Sequence, residues 1–247
     1  IIILGTSSPD RNYPSDACSV QAAIGAVNAV AFDISAACAG FIFAMNIVEG
    51  FFKAGIYKTA LIIGAETLSK VTDWSDRGTC VLFGDGAGAA VLKAEETGII
   101  DMMMGADGTK GDVLACTSRT VGNFLTGTKP ELGFMTMDGQ EVFKFAVRKV
   151  PESVMELLQR TGTKKEDIKY YVLHQANERI IEAAARRLKE PMEKFPMTIG
   201  QFGNTSTASI PLLLDDMIRK DMLKRGDKII MSGFGAGMTW GAVLMEW

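Results

Sequence analysis

Short apolar runs rich in Ile, Val and Leu recur along the chain, separated by longer stretches whose apolar positions return at helical spacing. The short runs predict strands over 1–6, 30–34, 59–65, 80–83 and 89–94, then over 170–173, 195–198, 228–232 and 241–246. The longer stretches predict helices over 15–24, 39–53, 139–161, 178–188 and 207–223. Between 107 and 133 Gly and Thr are frequent and no period holds, which predicts a surface excursion. Strands alternating with helices predict an α/β fold in packed layers. The most apolar stretch, 29–48, is broken by Asp33, Gly40 and Asn46, so it reads as a buried strand and helix rather than a membrane span.

The pattern also echoes itself. The first half runs strand 30–34, Cys38, helix, Lys58-Thr59-Ala60-Leu61-Ile62-Ile63-Gly64, then Phe83-Gly84-Asp85-Gly86 and Ala90-Val91-Leu92. The second runs strand 195–198, Asn204, helix, Asp227-Lys228-Ile229-Ile230-Met231-Ser232-Gly233, then Phe234-Gly235-Ala236-Gly237 and Ala242-Val243-Leu244. The echo is short and Gly-rich, so coincidence competes with it. Matching strand-to-helix junctions at Cys38 and Asn204 favour two pseudo-symmetric halves, residues 1–97 and 98–247.

Composition narrows the possible chemistry. The 247 residues are 47% apolar and 22% charged, with a net charge of -3, and no basic cluster marks a nucleic-acid surface. Four widely spaced cysteines and one histidine cannot easily assemble a zinc site, so no metal is expected. Cysteines spaced this way fit a reducing cytoplasm better than a disulfide framework. The chain opens directly on the strand-like Ile1-Ile2-Ile3-Leu4, which reads as having no signal peptide, and its first residue is not Met, so an upstream portion is expected.

Three residues stand where a strand gives way to a helix. Cys38 follows Ser35-Ala36-Ala37 and precedes a run without charge to 48. A cysteine at a helix N-terminus is expected to favour its thiolate. Taken alone, Cys38 reads equally as a small buried cysteine, as do Cys18, Cys80 and Cys116. His174 ends the strand 170–173, at the edge where open α/β sheets place ligands, and a helix N-terminus would keep its ring neutral. Asn204, in Gly203-Asn204-Thr205-Ser206, is either a helix cap or an amide donor to a developing enolate. Gly84-Asp85-Gly86-Ala87-Gly88 lacks dinucleotide-loop spacing and leads into a strand, so Asp85 is expected to stabilise its turn. The turn at Gly235-Ala236-Gly237 can offer a backbone N–H to an oxyanion.

These segments, with Asp76-Arg77-Gly78-Thr79 and Gly235-Ala236-Gly237-Met238-Thr239-Trp240-Gly241, closely resemble β-ketoacyl-[acyl carrier protein] synthase III, the initiating condensing enzyme of fatty acid synthesis. The resemblance runs from Ile1 to Trp247 and lacks only the family's first strand and helix. It implies a thiolase-like fold, two βαβαβαββ-type halves in an α-β-α-β-α arrangement. It further implies that Cys38 takes an acyl group from acyl-CoA and that His174 and Asn204 hold the enolate formed from malonyl-[acyl carrier protein]. The N–H groups of Cys38 and Ala236 would hold the oxyanion. Arg77, Gly139 and Asn177 would meet CoA; Phe83 and Tyr13, the latter from a partner subunit, would shape the acyl pocket. Lys144 and Arg179 would attract the carrier protein, or else are ordinary solvated charges. No cofactor is implied, CoA thioester being a substrate, and a cytoplasmic homodimer without nucleic-acid or membrane partners is expected. One histidine argues against elongating synthases and thiolases. The alternatives are a polyketide or specialised starter-unit synthase, or a non-catalytic acyl-CoA or carrier-protein binding relative.

Overall fold

The computed structural model describes residues 1–247. Its strands are β1 (Ile2–Gly5), β2 (Ala31–Ile34), β3 (Thr59–Glu66), β4 (Gly86–Lys93), β5 (Ile99–Ala106), β6 (Leu114–Cys116), β7 (Met135–Met137), β8 (Ile168–Leu173), β9 (Lys228–Gly235) and β10 (Thr239–Glu246). Its helices are α1 (Asp16–Ala23), α2 (Gly40–Lys53), α3 (Gly139–Thr161), α4 (Glu178–Leu188), α5 (Ile199–Phe202) and α6 (Ser209–Arg219). One sheet has the order β2-β1-β3-β4, parallel except for β4. The other has the order β5-β10-β9-β8, with β8 parallel to β9 and the remaining pairs antiparallel.

Burial explains the layering. Apolar residues of α2 (Phe41, Ile42, Met45, Val48) and α6 (Ile210, Leu213, Met217) fill one core with Ile3 and Ile62 of the first sheet and Ile229, Met231 and Val243 of the second. Each fully buried side chain of this size contributes about 1.5–3 kcal/mol. The two helices are therefore pinned between the sheets. On the outer face of the second sheet, α3 and α4 pack through Val154, Leu157, Ile181 and Leu188. On the outer face of the first, α1 contributes only Ala17 to a cluster with Ile2, Leu4 and Ile63. The result is the expected α-β-α-β-α stack. Asp33 interrupts the apolar run of β2 for a reason: its carboxylate accepts from the Asp16 and Ala17 N–H groups at 2.7 and 2.8 Å, capping α1. Asp138 caps α3 in the same way through Gln140 and Glu141.

Four expectations need correction. Residues 80–83 form turns, because Asp76 accepts from Gly78 N–H and Thr79 Oγ1–H and winds the segment up; only Phe83 makes a bridge, an isolated one to Asn204. Residues 195–198 make no ladder, and the Thr198 N–H goes to the Gln175 side chain at 2.9 Å. Strand β5 was not foreseen, since Asp101 and three methionines hide its strand character until it pairs with β10. Finally, Asn204 does not follow a strand as Cys38 does but follows α5, and the turn that resembles Ala37-Cys38-Ala39 is Ser206-Thr207-Ala208. Cys38 thus corresponds to Thr207, three residues beyond Asn204. Both turns open on a left-handed residue, Ala37 at φ 46° and Ser206 at φ 51°.

Candidate active site

The Cys38 turn rests on β9. A Cβ on Gly235 would lie 2.6 Å from the Cys38 nitrogen, so only glycine lets the backbones meet there, and one on Gly233 would sit tightly, 3.3 Å from the Cys38 carbonyl oxygen. The thiol is buried, and burial pushes it up to about 12. The Ser206 hydroxyl beside the sulfur and the Cys38 N–H pull the other way, while the Glu66 carboxylate adds to the rise. The expected helix-terminus preference for a thiolate is therefore overridden by desolvation. Cys38 rests as a neutral thiol.

His174 follows the last residue of β8, and its N–H donates to the Ser232 carbonyl of β9 at 2.8 Å. Phe234, two residues farther along β9, sets its ring edge-on at 5.4 Å from the imidazole centroid. Ser209 Oγ lies 2.6 Å from Nδ1, whereas Nε2 is buried and has no partner. Burial lowers the ring pKa to about 3, so the imidazole is neutral as expected, by desolvation rather than by a helix terminus.

Asn204 is tied to the first half through residues 82–84. Its N–H donates to Leu82 and its carbonyl accepts from Gly84, with Phe83 alongside. Its Oδ1 accepts from the Ser206 N–H at 2.9 Å, which leaves the NH2 as the free end of the amide. One residue thus serves as a turn former and still presents a donor. Asp85 likewise braces a turn, accepting from Ser69 N–H and Oγ–H at 2.9 and 2.6 Å. At the remaining Gly turn, the left-handed conformations fall on Gly237 and Met238, so Ala236 carries no such strain.

The structure thus brings Cys38, His174, Asn204 and Phe83 around one meeting of β9 with two turns. Three participants have no advance signal in sequence, or a faint one. Ser206 and Ser209 are two serines in a polar run. Glu66, the single acidic residue of its apolar strand, sits at the same strand end and accepts from Thr6 Oγ1, Ser7 N–H and Ser8 Oγ, leaving Oε1 unpartnered. A lone carboxylate ending a buried strand was the available clue.

Comparison with known proteins bears on this geometry. Residues 32–108 match the family model for 3-oxoacyl-[acyl-carrier-protein] synthase III, and residues 158–247 match the model for its C-terminal part. A β-ketoacyl-[acyl-carrier-protein] synthase III of Clostridium acetobutylicum is 51% identical across the whole chain, which spans 77% of that relative. The chain belongs to this family. The crystal structure of the Aquifex aeolicus synthase III superposes with a TM-score of 0.91 at 45% identity, covering all of this chain and 76% of the other. That of the Thermus thermophilus synthase III gives 0.92 at 41% identity, with the same coverage. The five layers are the thiolase-like fold of synthase III.

Other residues expected from the synthase III resemblance lie farther out. Gly78, next to exposed Arg77, lines with Asp138 and Gly139 an open cleft of about 770 Å³. Asn177 caps α4, accepting from the Arg179 N–H at 2.9 Å, and Arg179 is exposed. Tyr13 is 84% exposed. Lys144 is exposed but pairs with Glu141 at 2.8 Å, a carboxylate it shares with Lys110 at 3.4 Å. Cys18 and Cys116 are exposed rather than buried, Cys80 is half-buried, and all three are free thiols.

Proposed function

We propose that this chain is an initiating condensing enzyme that transfers an acyl group from acyl-CoA to Cys38 and joins it to malonyl-[acyl carrier protein]. Its buried, partnerless His174 Nε2 carries the reading: a polar ring atom withheld from solvent awaits an oxygen from a ligand. In the first half-reaction the Cys38 sulfur attacks the acyl-CoA carbonyl, the carbon–sulfur bond to CoA breaks, and the thiol proton leaves as the S–H of free CoA. Ser206 stabilises sulfur as it gains charge.

In the second half-reaction malonyl-[acyl carrier protein] loses CO2, and the electron pair of the broken carbon–carbon bond becomes an enolate. His174 Nε2–H and the Asn204 NH2 donate to its oxygen. The enolate carbon attacks the acyl-Cys38 carbonyl, whose oxyanion is held by the Cys38 and Ala236 N–H groups. Collapse expels sulfur, which regains one proton from solvent, and releases 3-oxoacyl-[acyl carrier protein]. No step requires a metal or redox cofactor.

Arg77 contacts the adenine end of CoA, while Gly139 and Asn177 contact its pantetheine arm. Phe83 and the Tyr13 of a second copy bound the acyl pocket; Lys144 and Arg179 attract the acidic carrier protein. The halves divide at residues 97 and 98, and the enzyme works as a cytoplasmic homodimer. Intact-protein mass spectrometry after incubation with acetyl-CoA tests the first step. A gain of one acetyl group that Cys38→Ala abolishes is expected. No adduct from acetyl-CoA, longer or branched acyl-CoAs would overturn the reading in favour of a binding-only protein.

A further inference from the structure

We propose that Ser209 is a positioning residue that locks His174 in its Nε2–H tautomer, so that the partnerless ring nitrogen is a donor before any substrate arrives. This rests on the condensation proposed above. Ser209 opens α6 and is 2% exposed, and the ring it touches is equally buried. Its Oγ has two polar neighbours. The Gln175 N–H, 3.3 Å away, can only donate to it. His174 Nδ1, 2.6 Å away, is therefore the acceptor left for the hydroxyl's own proton.

The reverse arrangement, with Nδ1–H donating to Ser209, strands that hydroxyl proton in a buried site with nothing to receive it. A lone pair on Nε2 would then face the substrate carbonyl and repel it. With Ser209 as donor, every proton in the chain Gln175 N–H, Ser209 Oγ–H and His174 Nε2–H points toward the substrate, and only the last lacks an acceptor. A second shell that fixes the proton on one ring nitrogen is how an imidazole is committed to a single role.

These 247 residues contain one histidine, so ring nitrogen-15 spectra of this chain report on His174 alone. Wild type is expected to show a protonated Nε2 and a hydrogen-bonded, unprotonated Nδ1. Ser209→Ala should lose the hydrogen-bond shift at Nδ1 and mix the tautomers, and Ser209→Thr should restore both signals. Decarboxylation of a malonyl thioester by Ser209→Ala should fall roughly tenfold to a hundredfold, more than acylation of Cys38 does. A wild-type ring protonated on Nδ1 would overturn the proposal even if Ser209→Ala failed to fold, as would an unchanged spectrum in that variant. The spectrum needs no turnover. A protein with the Nε2–H tautomer that never accepts an acyl group would refute the condensing function while supporting the lock.

Discussion

Desolvation holds Cys38 and His174 uncharged at neutral pH, the thiol pushed up to about 12 and the imidazole down to about 3. For His174 the unfolded chain takes up a proton near 6.5 and the folded chain refuses it until about 3, so folded stability falls as pH drops below 6.5. The slope is at most about 1.4 kcal/mol per pH unit, or about 2 kcal/mol lost between pH 6.5 and 5 from this ring. Urea unfolding at several pH values should show that slope in wild type and a shallower one in His174→Asn; equal slopes would contradict the buried neutral ring. Cys38 works in the opposite sense, because the folded state keeps a proton that the unfolded thiol releases near 9.0, and stability declines above that pH. At pH 8 iodoacetamide should therefore alkylate exposed Cys18 well before Cys38. In activity, His174→Ala and Asn204→Ala should still accept an acetyl group on Cys38 yet decarboxylate malonyl thioester about a hundredfold more slowly or worse. Unimpaired decarboxylation in both would remove them from the proposed roles.

At the level of elements, the crossing of β9 beneath the Cys38 turn is the tightest constraint on the nucleophile. Gly235→Ala places a methyl against backbone that cannot yield. Acylation should fall about a hundredfold as the turn shifts by a fraction of an ångström or more. Gly50→Ala, in α2 with open space around it, is the control and should raise stability by about 0.5–1 kcal/mol with acylation intact. The same crossing explains what could be read in advance. Strands β1, β3, β8, β9 and β10 and helices α2, α3 and α4 declared themselves through local apolar period. So did Cys38 and His174, each just past the end of a strand, whereas Asn204 follows the short helix α5 instead of the strand expected before it. Residues 80–83 and 195–198 are apolar enough for strands, but side chains from elsewhere claim their hydrogen bonds. Ser206, Ser209 and Glu66 matter only because the fold sets them against groups 35 or more residues away, such as His174 for Ser209, and no local period encodes such a meeting.

The molecule as a whole is asymmetric in its covering. The second sheet carries α3 and α4 on its outer face, the first only α1, and Tyr13, Val27, Trp74, Val81, Val91 and Phe124 are exposed. Exposed apolar groups on the less covered sheet are where the second copy proposed above would pack. Sedimentation equilibrium is expected to give a mass about twice 26.6 kDa, and Tyr13→Ala should shift preference among acyl-CoA chain lengths. A monomer at micromolar concentration would count against the homodimer. Two similar turns pack against each other beside Cys38, opened by Ala37 and Ser206 in left-handed backbone. A side chain resists that conformation by about 1–2 kcal/mol, while glycine's added freedom in the unfolded chain costs about 0.4–1 kcal/mol. Libraries selected for survival at high temperature should accordingly be enriched in Ala37→Gly. The survivors would resist heat better and turn over more slowly, so durability and speed would pull against each other where these two turns meet.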